Sequence, residues 1–176
     1  MTGLEHGKAP VELREKLSFT RQQTAEAVNA VRDFPGVSGC VLISTCNRTE
    51  LYLSCAGGEE PGKLLCRAAG VEYAPFAGAF FTLSGEDAAR HLMEVAAGLR
   101  SRIWGEDQII SQVRQAIAIA REAGTADALL ETLFRSAVAA GKEVRTRVRL
   151  TSVPTSAAGT AVELLRDVVR DLAHRR

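Results

Sequence analysis

No uninterrupted apolar run in this 176-residue chain is longer than a few residues, far short of the roughly 20 that a membrane-spanning helix needs. The opening MTGLEHGKAP carries no hydrophobic stretch of the kind found in a secretory signal. The expected address is therefore the cytosol, with no membrane partner. The four cysteines, Cys40, Cys46, Cys55 and Cys66, include no Cys-x-x-Cys pair, and there are only three histidines, so neither a zinc ligand set nor a disulfide scaffold is suggested. A strong overall charge is missing too: 22 basic against 21 acidic side chains leave a net charge of +1. What is present is a hydrophobic fraction of 46%, which fits one globular domain or slightly more and excludes a disordered or collagen-like chain. At this length roughly 70% of the unfolded surface can be buried, so no staple is required to hold a core.

Charge is distributed unevenly. Residues 1–60 hold 6 basic and 8 acidic side chains, whereas 142–176 hold 8 basic and 4 acidic; such a basic end is either a solvated helix face or a contact for nucleic-acid phosphate. Thr20 followed by Gln23 forms a capping-box pattern, predicting a helix to about Asp33 that Pro35-Gly36 stops. Gly39–Ser44 and Glu50–Cys55 read as strands, the second alternating Leu51, Leu53 and Cys55 with Glu50, Tyr52 and Ser54. Thr45–Thr49 is the polar five-residue connection between them, and a third strand is expected near Ala79–Leu83. From Ser84, a suitable N-cap, the pattern turns helical, with Ala88, Leu92, Val95 and Leu99 on one stripe. A second such helix begins near Glu106–Gln108 and ends at Gly124; a third follows Thr125 and directs Leu130, Leu133, Phe134, Ala137, Val144 and Val148 at the core. A last one follows Pro154-Thr155. The order predicts an α+β fold: a small three- or four-stranded mixed sheet with flanking helices and a helical second half.

Chemistry concentrates in Ser44-Thr45-Cys46-Asn47-Arg48-Thr49-Glu50. A thiol between two strands with a guanidinium two residues later favours the nucleophilic thiolate. The planar fork of Arg48 also suits bidentate binding of a carboxylate, so it could hold an acidic substrate while Cys46 attacks. His91 sits at the margin of a helical apolar stripe, where a cleft-facing base and a packed structural histidine are both open readings. Gln108 and Gln112 share a helix face by their spacing, beside Glu106 and Asp107; a solvated face is the default for them and for Ser101.

STCNRTELY at 44–52, HLMEVAAGLRSRIWGEDQIISQVRQA at 91–116, and LFRSAVAAGKEVRTRVRL with SAAGTAVELLRD at 133–167 resemble the catalytic domain of the glutamyl-tRNA reductase family, and EHGKAPVELREKLSF at 5–19 resembles its opening segment. The resemblance spans nearly the whole chain in the family's order. It implies an enzyme that captures the glutamyl group of glutamyl-tRNA as a cysteine thioester and reduces it with NADPH to glutamate-1-semialdehyde for tetrapyrrole synthesis. Carried onto this chain, the nucleophile is Cys46, with Thr45, Asn47 and Arg48 completing the substrate motif around it. The activity-linked histidine is His91, and further substrate contacts fall on Ser101, Glu106, Asp107, Gln108 and Gln112.

The same resemblance assigns 1–150 to the catalytic domain and 151–176 to the start of the linker (spinal) helix. No Gly-x-Gly-x-x-Gly turn follows any predicted strand, so NADPH is expected to belong to the full-length enzyme, with none bound by this fragment; the family's homodimer gives way to a possible monomer. Acylation and slow glutamyl-tRNA hydrolysis are what such a fragment would do alone. Arg100, Arg102 and Asp107 stand where the family commonly has acidic, apolar and proline residues, and the two arginines could grip RNA phosphate. The alternatives are a non-catalytic tRNA-binding or regulatory paralogue and a cysteine acyl hydrolase unrelated to transfer RNA.

Overall fold

The computed structural model describes residues 1–57, 60–101 and 108–148, together with Leu165. Along the chain run β1 (Thr2–Glu5), α1 (Val11–Lys16), α2 (Arg21–Arg32), β2 (Val37–Ser44), β3 (Arg48–Cys55), α3 (Pro61–Ala68), β4 (Phe81–Thr82), α4 (Gly85–Ala96), α5 (Gln108–Glu122) and α6 (Ala128–Arg147). The sheet order is β2-β3-β1-β4. Every neighbouring pair is antiparallel, so the sheet is not the mixed one that the strand and helix order suggests: β2 and β3 are joined by a tight turn, which only antiparallel strands permit.

Local signals explain much of this. The Thr20 hydroxyl accepts from the Gln23 N–H at 3.3 Å while the Gln23 side chain accepts from the Thr20 N–H at 2.9 Å, a complete capping box at the head of α2. Ser84 does occupy the N-cap of α4, but its side chain makes no capping bond. α6 starts later than its hydrophobic pattern suggests, capped by Asp127 accepting from the Leu130 N–H at 2.8 Å. β1 carries no strand signature, being four residues long with a glycine inside it. That glycine is required, since a Cβ on Gly3 would lie 2.9 Å from both Glu50 Cγ and the Phe81 ring.

Helices cover the sheet on both sides. Val41, Ile43 and Tyr52 face α4, α5 and α6 through Leu92, Val95, Val113, Ala120 and Phe134. Leu4, Cys40, Leu42 and Leu51 face α2 and α3 through Val28, Val31, Leu64 and Leu65. The alternation in β3 therefore does not mark one wet face; both faces are sealed. The exposed edge of β2 is closed by the residues after α5: Cys40 N–H donates to the Thr125 carbonyl at 2.8 Å, and the Thr125 hydroxyl returns to the Cys40 carbonyl at 3.0 Å.

Two members of the expected stripes leave the core. Gly98, at φ 79°, follows the end of α4, so Leu99 falls off the helical register and is 41% exposed. In α6 the last buried position is Gly141, and Val148, past the helix end, is 49% exposed. Gly141 lies against the end of α4 so closely that a Cβ would come within 2.6 Å of the Ala96 carbonyl oxygen. The expected linker helix of 151–176 lies outside the described residues apart from Leu165.

Candidate active site

Thr45 builds the turn that carries Cys46. Its N–H donates to the Arg48 carbonyl at 2.9 Å, but the return bond from the Arg48 N–H goes to the Thr45 hydroxyl at 3.1 Å, and the Asn47 N–H reaches the same oxygen at 3.2 Å. A side chain thus stands in for a backbone carbonyl. Only Cys46 and Asn47 lie between the bonded pair, three residues rather than five separate the strands, and neither Cys46 nor Asn47 has a positive φ. The turn therefore does without the glycine that primed hairpin turns favour. Cys46 is exposed at its tip.

The opening segment straps this turn in place. Arg14 Nη1 donates to the Cys46 carbonyl at 2.5 Å and the His6 N–H to the Asn47 carbonyl at 2.9 Å. At the base of the turn the Thr49 hydroxyl donates to the Leu17 carbonyl at 2.7 Å, and the Phe19 N–H donates to the Ser44 hydroxyl at 3.0 Å.

Arg48 is placed otherwise than its sequence position suggests. Its fork is not free for a substrate carboxylate: at 2% exposure, Nη1 donates to Glu50 Oε1 at 2.7 Å, while Nη2 donates to the Arg100 carbonyl. A guanidinium removed from water must be paired, and the period of two in β3 puts Glu50 and Tyr52 on the same face. Glu50 is fully buried and also receives His91 Nε2–H on Oε1 at 2.9 Å and the Tyr52 hydroxyl on Oε2 at 2.8 Å. Burial alone would raise the Glu50 pKa; the hydrogen bond from His91 and the charge of Arg48 outweigh it and hold the carboxyl below its usual range. Burial, then the neighbouring Glu50 charge, pushes the Tyr52 hydroxyl far up. His91 is thus a buried partner of β3, packed against the Phe81 ring with centroids 5.2 Å apart. Its Nδ1 is buried and meets no partner among the described residues. Sequence alone does not single out Glu50 and Tyr52; the available signal is an arginine and a glutamate at i and i+2 on a strand otherwise uncharged.

The remaining sequence candidates fall around this turn unevenly. Ser101 is half-buried beyond α4, one residue after the carbonyl that receives Arg48. Gln108 opens α5 and is exposed, and Gln112, one turn on, is half-buried. Gln112 lines a depression of about 160 Å³ with Ser44, Phe19, Arg21 and Gln115. Glu106, Asp107 and Arg102 lie outside the described residues. Arg100 is bound to Glu94 at 2.7 Å. Among the other thiols, Cys40 and Cys66 are buried, and burial pushes them up to about 12 and about 11 respectively; Cys55 is exposed at the far end of β3.

The family model described as Glutamyl-tRNAGlu reductase, N-terminal domain, matches residues 2–148. The chain belongs to that family. It is 44% identical over 168 residues to a glutamyl-tRNA reductase of Acetivibrio thermocellus, covering 94% of this chain and 51% of the relative. It is 42% identical over 162 residues to a probable multifunctional siroheme biosynthesis protein of Ruminiclostridium josui, covering 90% of this chain and 32% of that protein. The solved glutamyl-tRNA reductase from Methanopyrus kandleri superposes with a TM-score of 0.75 at 35% identity, covering 93% of this chain and 38% of that one. This reductase domain thus has the family's α+β fold and spans about half or less of the length of the relatives it matches.

A dinucleotide does not fit the described residues. The antiparallel sheet offers no parallel strand-helix-strand crossover among the described residues, and the sequence contains no Gly-x-Gly-x-x-Gly. No cluster of three His, Cys, Asp or Glu able to hold a metal occurs among the described residues, and no described helix is long and apolar enough to cross a membrane.

Proposed function

We propose that this domain performs the acyl-capture half of a glutamyl-tRNA reductase reaction, in the route to tetrapyrroles. The Cys46 thiolate attacks the ester carbonyl that joins glutamate to the terminal ribose. The S–C bond forms, the C–O bond to the ribose breaks, and the ribose oxygen takes up a proton. An aminoacyl ester is already activated, so a positioned thiolate needs little further help. The observation that carries this reading is the exposed thiol on a braced two-residue turn, set in a chain whose family match runs from residue 2 to 148.

In this reading Thr45 and Asn47 shape the turn. Arg48 and His91 act from beneath it as positioning residues through Glu50, and Ser101, Glu106, Asp107, Gln108 and Gln112 contact the glutamyl group or the ribose. Residues 151–176 lead toward the rest of the full-length reductase, to which reduction by NADPH and homodimerisation belong. With no reductant supplied, the thioester reverts to tRNA ester or is hydrolysed by water to free glutamate and the thiol.

Incubating the chain with charged transfer RNA tests this. Free glutamate should be released slowly, mass spectrometry should find a glutamyl adduct on Cys46, and Cys46→Ser should abolish both while leaving the melting temperature unchanged. A wild-type chain that neither releases glutamate nor carries an adduct would favour the non-catalytic RNA-binding paralogue.

A further inference from the structure

Where the two helical layers meet beyond the edge strand β2, α2 and α5 leave a continuous groove. The 160 Å³ depression beside Ser44 shares Gln112 and Gln115 with a second of about 450 Å³ along α5. It shares Arg21 and Ile119 with a third of about 530 Å³ that runs along α2. The middle of the groove lies close to the nucleophile: Ser44, two residues ahead of Cys46, holds the Phe19 N–H at 3.0 Å, and the half-buried Phe19 side chain forms part of the wall.

The lining has a definite chemistry. Its uncharged polar groups are amides and hydroxyls, with Gln112 and Gln115 at its centre, set among the apolar Leu42, Ala116, Ile119 and Ala25. Its one carboxylate among the described residues, Glu122, is paired with Arg21 at 2.6 Å across the groove, both side chains being more than half exposed. Carboxamides donate and accept in one plane, as base edges do, and a partly exposed aromatic ring is a stacking platform for any base. A duplex is held mainly through phosphate by many cations, which this groove lacks. From Gln108 to Glu122, α5 rises about 21 Å at 1.5 Å per residue, so from Phe19 at the middle there is room for about three nucleotides toward either end at the stacked spacing of about 3.4 Å.

We propose that this groove holds the unpaired 3′ end of the aminoacylated RNA. Phe19 stacks on the terminal base so that its ribose ester reaches Cys46. Gln115 takes a base edge or ribose hydroxyl of the following nucleotide, beside Gln112 on the terminal ribose, and Arg21 exchanges Glu122 for a phosphate. The proposal rests on the acyl-capture reading and adds to it the path of the RNA.

Fluorescence anisotropy of this chain with two uncharged RNA stem-loops, one ending in an unpaired 3′ tail and one blunt, provides the test. The tailed RNA should bind about tenfold tighter or better, and Gln115→Glu should remove that advantage by placing a charge against the backbone. Phe19→Ala should weaken tailed binding severalfold, with Phe19→Tyr restoring it. Glu122→Gln should tighten it a few-fold by freeing Arg21. Acylation of Cys46 by a small RNA-free glutamyl thioester separates the two readings: Gln115→Glu should be acylated as the wild type is. Equal affinity for tailed and blunt RNA, or tailed binding indifferent to Gln115→Glu, in a chain that the thioester does acylate, overturns the groove alone. A wild-type chain that the thioester leaves unmodified overturns the acyl-capture reading itself.

Discussion

The two faces of β3 are equally dry and chemically opposite. Toward α2 and α3 the strand presents Leu51, packed with Leu4, Leu42 and Val28 in an all-apolar cluster. Toward α4 it presents Arg48, Glu50 and Tyr52, with His91 arriving from the helix to complete the arrangement. Hydrocarbon gains stability in proportion to area and tolerates loose geometry. A buried ion pair gains little net stability but fails sharply when one partner is lost. The apolar face thus holds the domain together, and the polar face fixes the root of the turn that carries Cys46.

Denaturant unfolding of single variants would break this contrast most directly. Glu50→Ala strands the Arg48 guanidinium and should cost about 3–5 kcal/mol, whereas Leu51→Ala on the other face should cost about 2–5 kcal/mol. The two should part in acylation of Cys46, which Glu50→Ala impairs even where the protein is fully folded. Equal acylation by both would remove the special role given to the polar face.

Acid sharpens the same comparison. The Glu50 carboxyl is held below its usual value in the folded chain, against about 4.3 unfolded, so its stabilisation is complete above that pH and is lost as pH falls through the lower folded value. Stability should therefore drop with acid in the wild type and in Leu51→Ala, and drop less steeply in Glu50→Gln. An acid slope unchanged by Glu50→Gln would show that other carboxylates account for it. The smallest effect expected is that of Thr45→Val, which leaves the Asn47 and Arg48 N–H groups without the hydroxyl and should cost about 1 kcal/mol; faster hydrogen exchange at those two amides would report it.

How legible each part was follows from the range of the interactions behind it. The capping box of α2 and the apolar stripes of α4, α5 and α6 are written in neighbours a few residues apart, and apart from Leu99 and Val148 at the helix ends they stand in the structure where the sequence puts them. The family motif located Cys46 at an exposed turn. What sequence could not supply depends on partners distant in the chain. β1 is a strand only because β3 and β4 flank it. Glu50 is tolerable in the interior because Arg48 and Tyr52 beside it are joined by His91, 41 residues later. Glu50 takes one side of the Arg48 fork from two residues away, but the other side goes to the Arg100 carbonyl 52 residues on, which no local pattern reveals. The turn looked five residues long because a threonine hydroxyl can close a hairpin that a backbone carbonyl usually closes.

The hydrogen atom that Gly141 carries in place of a methyl sets the height of α4 above the sheet. α6 seats directly on the last turn of α4, at Ala96, and His91 lies five residues before Ala96 on that rod. A methyl there would act as a wedge, tilting the rod and drawing the imidazole off the carboxylate. The spacing between two helices, fixed far from the sulfur, thus calibrates how firmly the nucleophile's loop is clamped.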